Sequence, residues 1–343
     1  MAAAAEGEKG AAVCVTGAGG YVASWLVKLL LSKGYTVHGT VRGDAAGDVV
    51  KYGHLKKLEG AASSMSGEEG KLKLMKADLL DYESLVGAVA GCAAVFHVAS
   101  PVPFGLISDI STAQKELLGP AVKGTYNVLK ACSEINVKRV IIVSSVAAVY
   151  MNPKWPVDKV KDESCWSDDK YCSETNNWYC LSKTIAERDA FQYAQKHGLD
   201  VISVCPSLVL GPMLQQTPNS SSSVLISLLK EGSETVQNRT PVVVDVRDVA
   251  ESLLLAYEKP EAEGRYICNA HTLSVRDMVG MLKEMYPHYK YPKSFSEPEG
   301  DGIEVIEHKL TSQRLQGLGW SFRPLEETLK DSVESYRQAG LLD

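Results

Sequence analysis

The stretch that most constrains this fold is Ala12-Val13-Cys14-Val15-Thr16, followed at once by Gly17-Ala18-Gly19-Gly20-Tyr21-Val22-Ala23. The first five residues are short, apolar and rich in β-branching, and they read as a buried strand. From Ser24 to Ser32, Trp25, Leu26, Leu29 and Leu30 recur at helical spacing, and Gly34 closes the segment. Strand, glycine turn and helix in that order are what a dinucleotide site requires. Gly17 permits the tight turn, Gly20 lets a pyrophosphate approach the backbone, and Ala23 keeps the helix close to the strand. The helix N-terminus, with Tyr21 and Val22 in its first turn, then offers amides to the phosphates. A glycine triplet alone is also compatible with a plain turn; its place between strand and helix favours the cofactor.

The pattern then repeats. Apolar runs at 36–41, 71–76, 93–101, 139–145 and 200–205 read as further strands, separated by helical stretches such as 120–134. This alternation predicts an α/β protein: a Rossmann-type, doubly wound parallel sheet covered on both faces. Beyond Gly211-Pro212 the pattern changes. A polar, Ser-rich loop is expected at 215–223 and a helix at 224–230. Returns to the sheet are expected at 241–246 and 264–269, with helices at 247–257, 274–285 and 326–338. The stretch 151–175, with Pro153, Pro156 and many charges, reads as a surface excursion. The expected organisation is a disordered tail at 1–10, a Rossmann domain at 11–206 and 240–270, and a smaller substrate-binding lobe at 207–239 and 271–343.

The net charge of −6 leaves no basic footprint for nucleic acid. The apolar run 22–31 is interrupted by Lys28 and is too short to span a bilayer, and 1–10 has no signal or transit character. The eight cysteines are scattered and contain no Cys-x-x-Cys pair. Free thiols in a reducing, cytoplasmic setting fit them best, and no metal site is expected. Cys172 and Cys180 flank the chemistry described next, and a redox-sensitive bridge between them is the alternative. Oligomeric state is not legible.

Tyr179 and Lys183 stand four residues apart, which on a helix puts a phenol and an ammonium on one face. A nearby cation favours the phenolate and eases proton donation to an oxygen that has received a hydride. The spacing alone is weak, since it recurs at Tyr52/Lys56, Tyr126/Lys130, Tyr150/Lys154, Tyr286/Lys290 and Tyr289/Lys293. Those copies lie in the loop after the second strand, before the serine-bearing strand, or beside prolines. Only Tyr179 follows a strand that ends in hydroxyls, Ser144-Ser145, one of which can hydrogen-bond a carbonyl oxygen. At the end of the second strand an acidic ribose ligand is missing. Arg42 stands there and Lys51 follows, so NADP is favoured over NAD. His97 has no metal partner and reads as structural.

With these residues in hand, the chain resembles the extended short-chain dehydrogenase/reductases, in the plant branch of cinnamoyl-CoA reductases and dihydroflavonol reductases. The resemblance rests on the loop from Val15 to Leu26, on Phe96-His97-Val98-Ala99-Ser100-Pro101, on Asp162-Glu163-Ser164-Cys165-Trp166-Ser167 and on Asn177-Trp178-Tyr179-Cys180. It implies Ser145, Tyr179 and Lys183 as catalytic residues, with Lys183 also binding the ribose and holding Tyr179 acidic. It implies Arg42 and Lys51 at the 2′-phosphate, Asp78 and Leu79 at adenine, and Val98, Ala99, Ser100, Pro206, Ser207, Leu208 and Val209 on the nicotinamide side. Ser221 is carried over from a serine-rich loop, and Asn127 is either a water-relay or a packing residue. The activity implied is NADPH-dependent reduction of a phenylpropanoid carbonyl, with hydroxycinnamoyl-CoA as substrate. Leu181-Ser182 stands where the signature usually has Tyr-Gly, and 300–308 lacks paired basic residues that would suit CoA phosphates. Reduction of an aldehyde or ketone without CoA therefore stands as the alternative, and a non-catalytic NADP sensor as a further one.

Overall fold

The computed structural model describes residues 12–43, 48–61, 70–103, 107, 109–230, 232–297 and 309–343. The expected tail at 1–10, residues 62–69 and the stretch 300–308 lie outside the described residues. Strand and helix alternate through β1 (Ala12–Val15), α1 (Tyr21–Ser32), β2 (Thr36–Val41), α2 (Val49–Lys56), β3 (Leu72–Lys76), α3 (Tyr82–Val89) and β4 (Ala94–His97). After α4 (Ile110–Ala113) and a π-helical turn come α5 (Gly119–Ile135), β5 (Arg139–Val143), α6 (Asp169–Glu174), α7 (Trp178–His197), β6 (Val201–Pro206) and β7 (Leu208–Leu210). Next are α8 (Ser220–Lys230), β8 (Thr235–Gln237), β9 (Val242–Asp245), α9 (Val246–Glu258), β10 (Gly264–Cys268) and β11 (His271–Thr272). The chain closes with α10 (Val275–Met285), β12 (Ser294–Ser296), α11 (Gln313–Gly317) and α12 (Leu325–Gln338).

Seven strands form one parallel sheet in the order β3-β2-β1-β4-β5-β6-β10. Alternate residues of each strand feed opposite faces, as a period of two demands. Val13, Val15, Phe96 and Ile141 join the core under α1 and α9, while Cys14, Val95, Val140 and Ile142 join the core under α3, α5 and α7. Both faces are therefore buried, which is why these runs are apolar without interruption. Strand order reverses between β1 and β4, and the crevice at their carboxyl ends is where ligands of such sheets bind. A separate core, with Leu225, Leu229, Met278, Leu282, Val333 and Tyr336, holds α8, α10 and α12 together beside a small sheet of β7, β9 and β11.

Several local expectations differ from this structure. Only 264–268 returns to the large sheet. The run at 241–246 becomes β9, which pairs with β7 and β11, and Asp245 at its end caps α9 by accepting from the Arg247 amide at 2.8 Å. The serine-rich loop is helical from Ser220, because the Asn219 side chain bonds the Ser221 and Ser222 hydroxyls and its carbonyl takes the Ser223 amide. The stretch 151–175 is more than a surface excursion. Cys165 and Cys172 are fully buried, α6 lies within it, and Lys161 bridges to Leu310. Tyr52 lies in a helix, α2, rather than a loop, and is buried. The fourth strand stops at His97, because the Thr16 hydroxyl takes the Val98 and Ala99 amides at 3.1 and 3.0 Å and turns the chain aside.

Candidate active site

The glycine loop lies at the reversal point. Gly17 adopts φ +66°, and a Cβ there would stand 2.9 Å from the Ala99 Cβ, so a side chain would fill the gap between the two loops. Thr40 fixes the turn by accepting the Gly17 amide on its hydroxyl at 3.0 Å and the Ala18 amide on its carbonyl at 2.9 Å. Gly20 is the N-cap of α1 and supplies no capping side chain, which leaves the first-turn amides to an anion. The Tyr21 hydroxyl donates to the Gly211 carbonyl at 2.8 Å, so what Tyr21 offers a phosphate is its backbone, like Val22. Arg42, just past β2, and Lys51, in the first turn of α2, are both exposed. Two cations at this place suit a 2′-phosphate.

The remaining cofactor candidates occupy strand ends. Asp78 is exposed after β3, and its carboxylate accepts the Leu80 amide at 2.8 Å. Leu79 packs on Gly124 of α5, where an added Cβ would meet it at 2.9 Å. Asn127 donates to the Leu79 carbonyl at 2.8 Å and so supports that turn. Val98, Ala99 and Ser100 are half-buried beside the glycine loop. Pro206 ends β6, and Leu208 and Val209 open β7. Between them the Ser207 hydroxyl is buried with no hydrogen-bond partner among the described residues. An unspent polar group of this kind normally has a ligand or water to meet. The open helix cap, the space that only glycine leaves and this hydroxyl together fit NADP. Ser221 sits at the start of α8, bonded to Asn219, and its neighbour Ser220 donates to the Pro103 carbonyl at 3.3 Å.

The two serines after β5 separate in role. Ser144 is buried and donates to Glu187 at 2.8 Å, beneath the cleft. Ser145 is half-buried, caps the short helix Val146–Ala148 by accepting the Ala147 amide at 3.1 Å, and its hydroxyl favours loss of the Tyr179 proton. Tyr179 and Lys183 share the first turns of α7, with the Lys183 ammonium 6.0 Å from the phenol ring centre. Lys183 is buried and donates to the Val143 carbonyl at 3.2 Å. Burial pulls its ammonium down to about 8, against the opposing charge of Glu187.

The expectation that Lys183 holds Tyr179 acidic meets an opposing effect in the fold. Burial pushes the phenol up to about 12, and the Ser145 side chain works against it. The protonated phenol is the resting species, which is the form a proton donor needs. His97 is structural, with its ring nitrogens 3.0 and 3.1 Å from the Thr16 and Thr125 hydroxyls. All eight cysteines are free and buried. No cluster of metal-ligating side chains occurs among the described residues, and none of their helices is long and apolar enough to cross a membrane.

Sequence reasoning missed Thr16, Thr40, Glu187 and Arg265. Glu187 was the most accessible of these, since it stands one helical turn beyond Lys183 on the same face.

Comparison with known proteins agrees with this geometry. Residues 13–269 match the model of the NAD dependent epimerase/dehydratase family. Cinnamoyl-CoA reductase 1 of Petunia hybrida is 44% identical over 97% of this chain and 94% of its own. Among solved structures, vestitone reductase from alfalfa is 28% identical, with a TM-score of 0.76 over 97% of this chain and 100% of its own. Yeast methylglyoxal/isovaleraldehyde reductase Gre2, complexed with NADPH, is 26% identical with a TM-score of 0.78 over 96% of this chain and 100% of its own.

Proposed function

The chain belongs to the NAD dependent epimerase/dehydratase family, and from that premise we propose that Ser145, Tyr179 and Lys183 reduce a phenylpropanoid carbonyl, the substrate being a hydroxycinnamoyl-CoA and the product a hydroxycinnamaldehyde. The protein is an NADP-dependent oxidoreductase of cinnamoyl-CoA reductase type, as its 42–44% identity with several such enzymes supports. The observation that carries the assignment of residues is the convergence of the three side chains: the Lys183 ammonium lies 6.0 Å from the Tyr179 ring centre, and the Ser145 hydroxyl acts on the same phenol.

Bound NADPH supplies the hydride. Gly17, Gly20, Tyr21 and Val22 would hold its pyrophosphate, and Arg42 and Lys51 its 2′-phosphate. Asp78 and Leu79 would flank adenine, while the 98–100 and 206–209 segments, with Ser207 as an unspent polar group, would face nicotinamide. Lys183 would meet the ribose. The Ser145 hydroxyl donates to the substrate carbonyl oxygen and stabilises the charge that gathers there. Tyr179 holds its proton at neutral pH and gives it up only to a strongly basic oxygen. With a thioester, that oxygen re-forms the carbonyl as the carbon–sulfur bond breaks; the thiolate leaves and takes a proton from solvent, and an aldehyde remains. Leu181 is in the core, and the buried Ser182 hydroxyl turns back to the Tyr179 carbonyl at 2.8 Å. A reducing, cytoplasmic setting suits the eight free thiols.

NADPH oxidation over feruloyl-CoA, p-coumaroyl-CoA, coniferaldehyde, dihydroflavonols and simple aldehydes tests the substrate. Turnover of the CoA thioesters is expected; activity confined to the others overturns the thioester reading in favour of an aldehyde or ketone reductase. Tyr179→Phe should bind NADPH and lose turnover, and unchanged activity would sink the residue assignment.

A further inference from the structure

Glu187 and Arg265 form an ion pair that is almost wholly buried, with side chains only 1% and 7% exposed. A buried pair of this kind is weak evidence of stabilisation, because desolvating both charges offsets most of their attraction. Its position suggests another role. One carboxylate oxygen accepts from Arg265 Nε at 2.9 Å; the other accepts from Arg265 at 3.1 Å and from the Ser144 hydroxyl at 2.8 Å. Ser144 is the residue immediately before Ser145, and its own amide is tied to the Val204 carbonyl at 2.8 Å. Arg265 also donates to the Ala148 carbonyl at 3.3 Å, in the helical turn that Ser145 caps, and to the Glu163 and Cys165 carbonyls at 2.9 Å. Its guanidinium lies 3.5 Å from the Trp166 ring centre. The segment carrying Ser145 is thus gripped on both sides by one ion pair, and Glu187 projects from the helix that carries Tyr179 and Lys183.

Charge points the same way. Lys183, Glu187 and Arg265 make an array of cation, anion and cation in a desolvated place. Without the carboxylate, two buried cations would be left with no anion between them, and the lysine, unlike the arginine, can relieve that by releasing its proton. The other titratable groups facing Lys183 cannot replace the carboxylate. His97 on β4 is held neutral by burial and by Lys183 itself, and the Cys205 and Tyr179 protons are both held on by burial.

We propose that Glu187, braced by Arg265, is a positioning residue for this reaction: it fixes the Ser145 segment through Ser144 and keeps the Lys183 ammonium charged beneath Tyr179. This rests on the reading of Ser145, Tyr179 and Lys183 given above.

Glu187→Gln tests it, since glutamine keeps the size and one acceptor but removes the charge. Trace acetylation of the cofactor-free protein across pH, read at Lys183 by peptide mass spectrometry, should show its titration moved down by about one pH unit or more. In the holoenzyme, kcat at pH 7 should fall about tenfold, and its alkaline limb should move down with Lys183. Glu187→Asp, which keeps the charge, should restore the limb. An unmoved Lys183 titration with only a lowered Tm, or an aspartate variant shifted as far as the glutamine one, overturns the proposal. Should Glu187→Gln not fold, Ser144→Ala carries the test of positioning, because it removes one hydrogen bond and leaves the ion pair. A loss of about fivefold in kcat with Lys183 titrating as in the parent supports positioning, and an unchanged kcat refutes it. Tyr179→Phe is run alongside. Retained turnover there would refute the reaction assignment, while the Lys183 titration still decides the role of Glu187.

Discussion

Gly17→Ala is the sharpest test of how the cofactor cradle is built. At φ +66° an alanine costs about 1–2 kcal/mol relative to a right-handed conformation. Its Cβ would also stand 2.9 Å from the Ala99 Cβ and 3.2 Å from the Ala99 Cα. Ala99 cannot simply retreat, because its amide is held by the Thr16 hydroxyl at 3.0 Å, and Thr16 is itself bonded to His97. Forcing an extra methyl into such a place costs about 1–3 kcal/mol. The stiffer unfolded chain returns about 0.4–1 kcal/mol, so the net loss should be about 2–4 kcal/mol. Guanidinium unfolding, followed by the fluorescence of the five tryptophans, measures it, and titration with NADPH should show weakened binding. Gly87→Ala is the control. Gly87 is exposed on α3, has ordinary helical backbone and nothing within 4 Å of an added Cβ, so it should gain about 0.5–1 kcal/mol. If both variants shift stability alike, or Gly17→Ala is as stable as its parent, the cradle is not what makes this position need glycine.

Two further predictions concern pH. Lys183 titrates near 8 in the fold and about 10.4 when unfolded, so its burial destabilises the protein fully below pH 8 and is relieved as pH rises towards 10.5. Lys183→Met should therefore abolish turnover yet stabilise the cofactor-free protein by about 1–3 kcal/mol at pH 7, an advantage that vanishes by pH 10.5 in denaturant titrations; a gain independent of pH refutes this. Burial lowers His97 to about 3 against an unfolded value near 6.5, so the unfolded chain takes up the proton first and stability is lost as pH falls through that window. His97→Gln should flatten the loss between pH 6.5 and 3 by several kcal/mol, and an unchanged slope in midpoint against pH would refute the assignment.

The large sheet was legible because its strands are buried on both faces. Runs such as Val13 to Val15 and Val140 to Val143 are then apolar without a break, and periodicity needs nothing else. The second lobe was less legible for a matching reason. Val242 to Val244 is as apolar as a strand of the large sheet, but its partners β7 and β11 are three and two residues long and carry little pattern. Local sequence states that such a run must be covered, not by what. The serine run that became the first turn of α8 failed similarly, because its start is set by the side chain of Asn219 rather than by apolar spacing.

The site shows the same limit at the scale of single atoms. Ser144 and Ser145 are chemically identical and adjacent, and only a contact 43 residues away along the chain separates them, when Glu187 takes the Ser144 hydroxyl below the cleft. Spacing placed Tyr179 and Lys183 on one face correctly, but spacing carries no dielectric. The cation is expected to make the phenol a stronger acid; desolvation raises the phenol and weakens the ammonium. A cleft that leaves the Ser207 hydroxyl unpaired and holds a lysine against its own hydration gives up stability at these positions. The Glu187–Arg265 pair stands where that cost would otherwise be relieved by losing the charge that the chemistry uses.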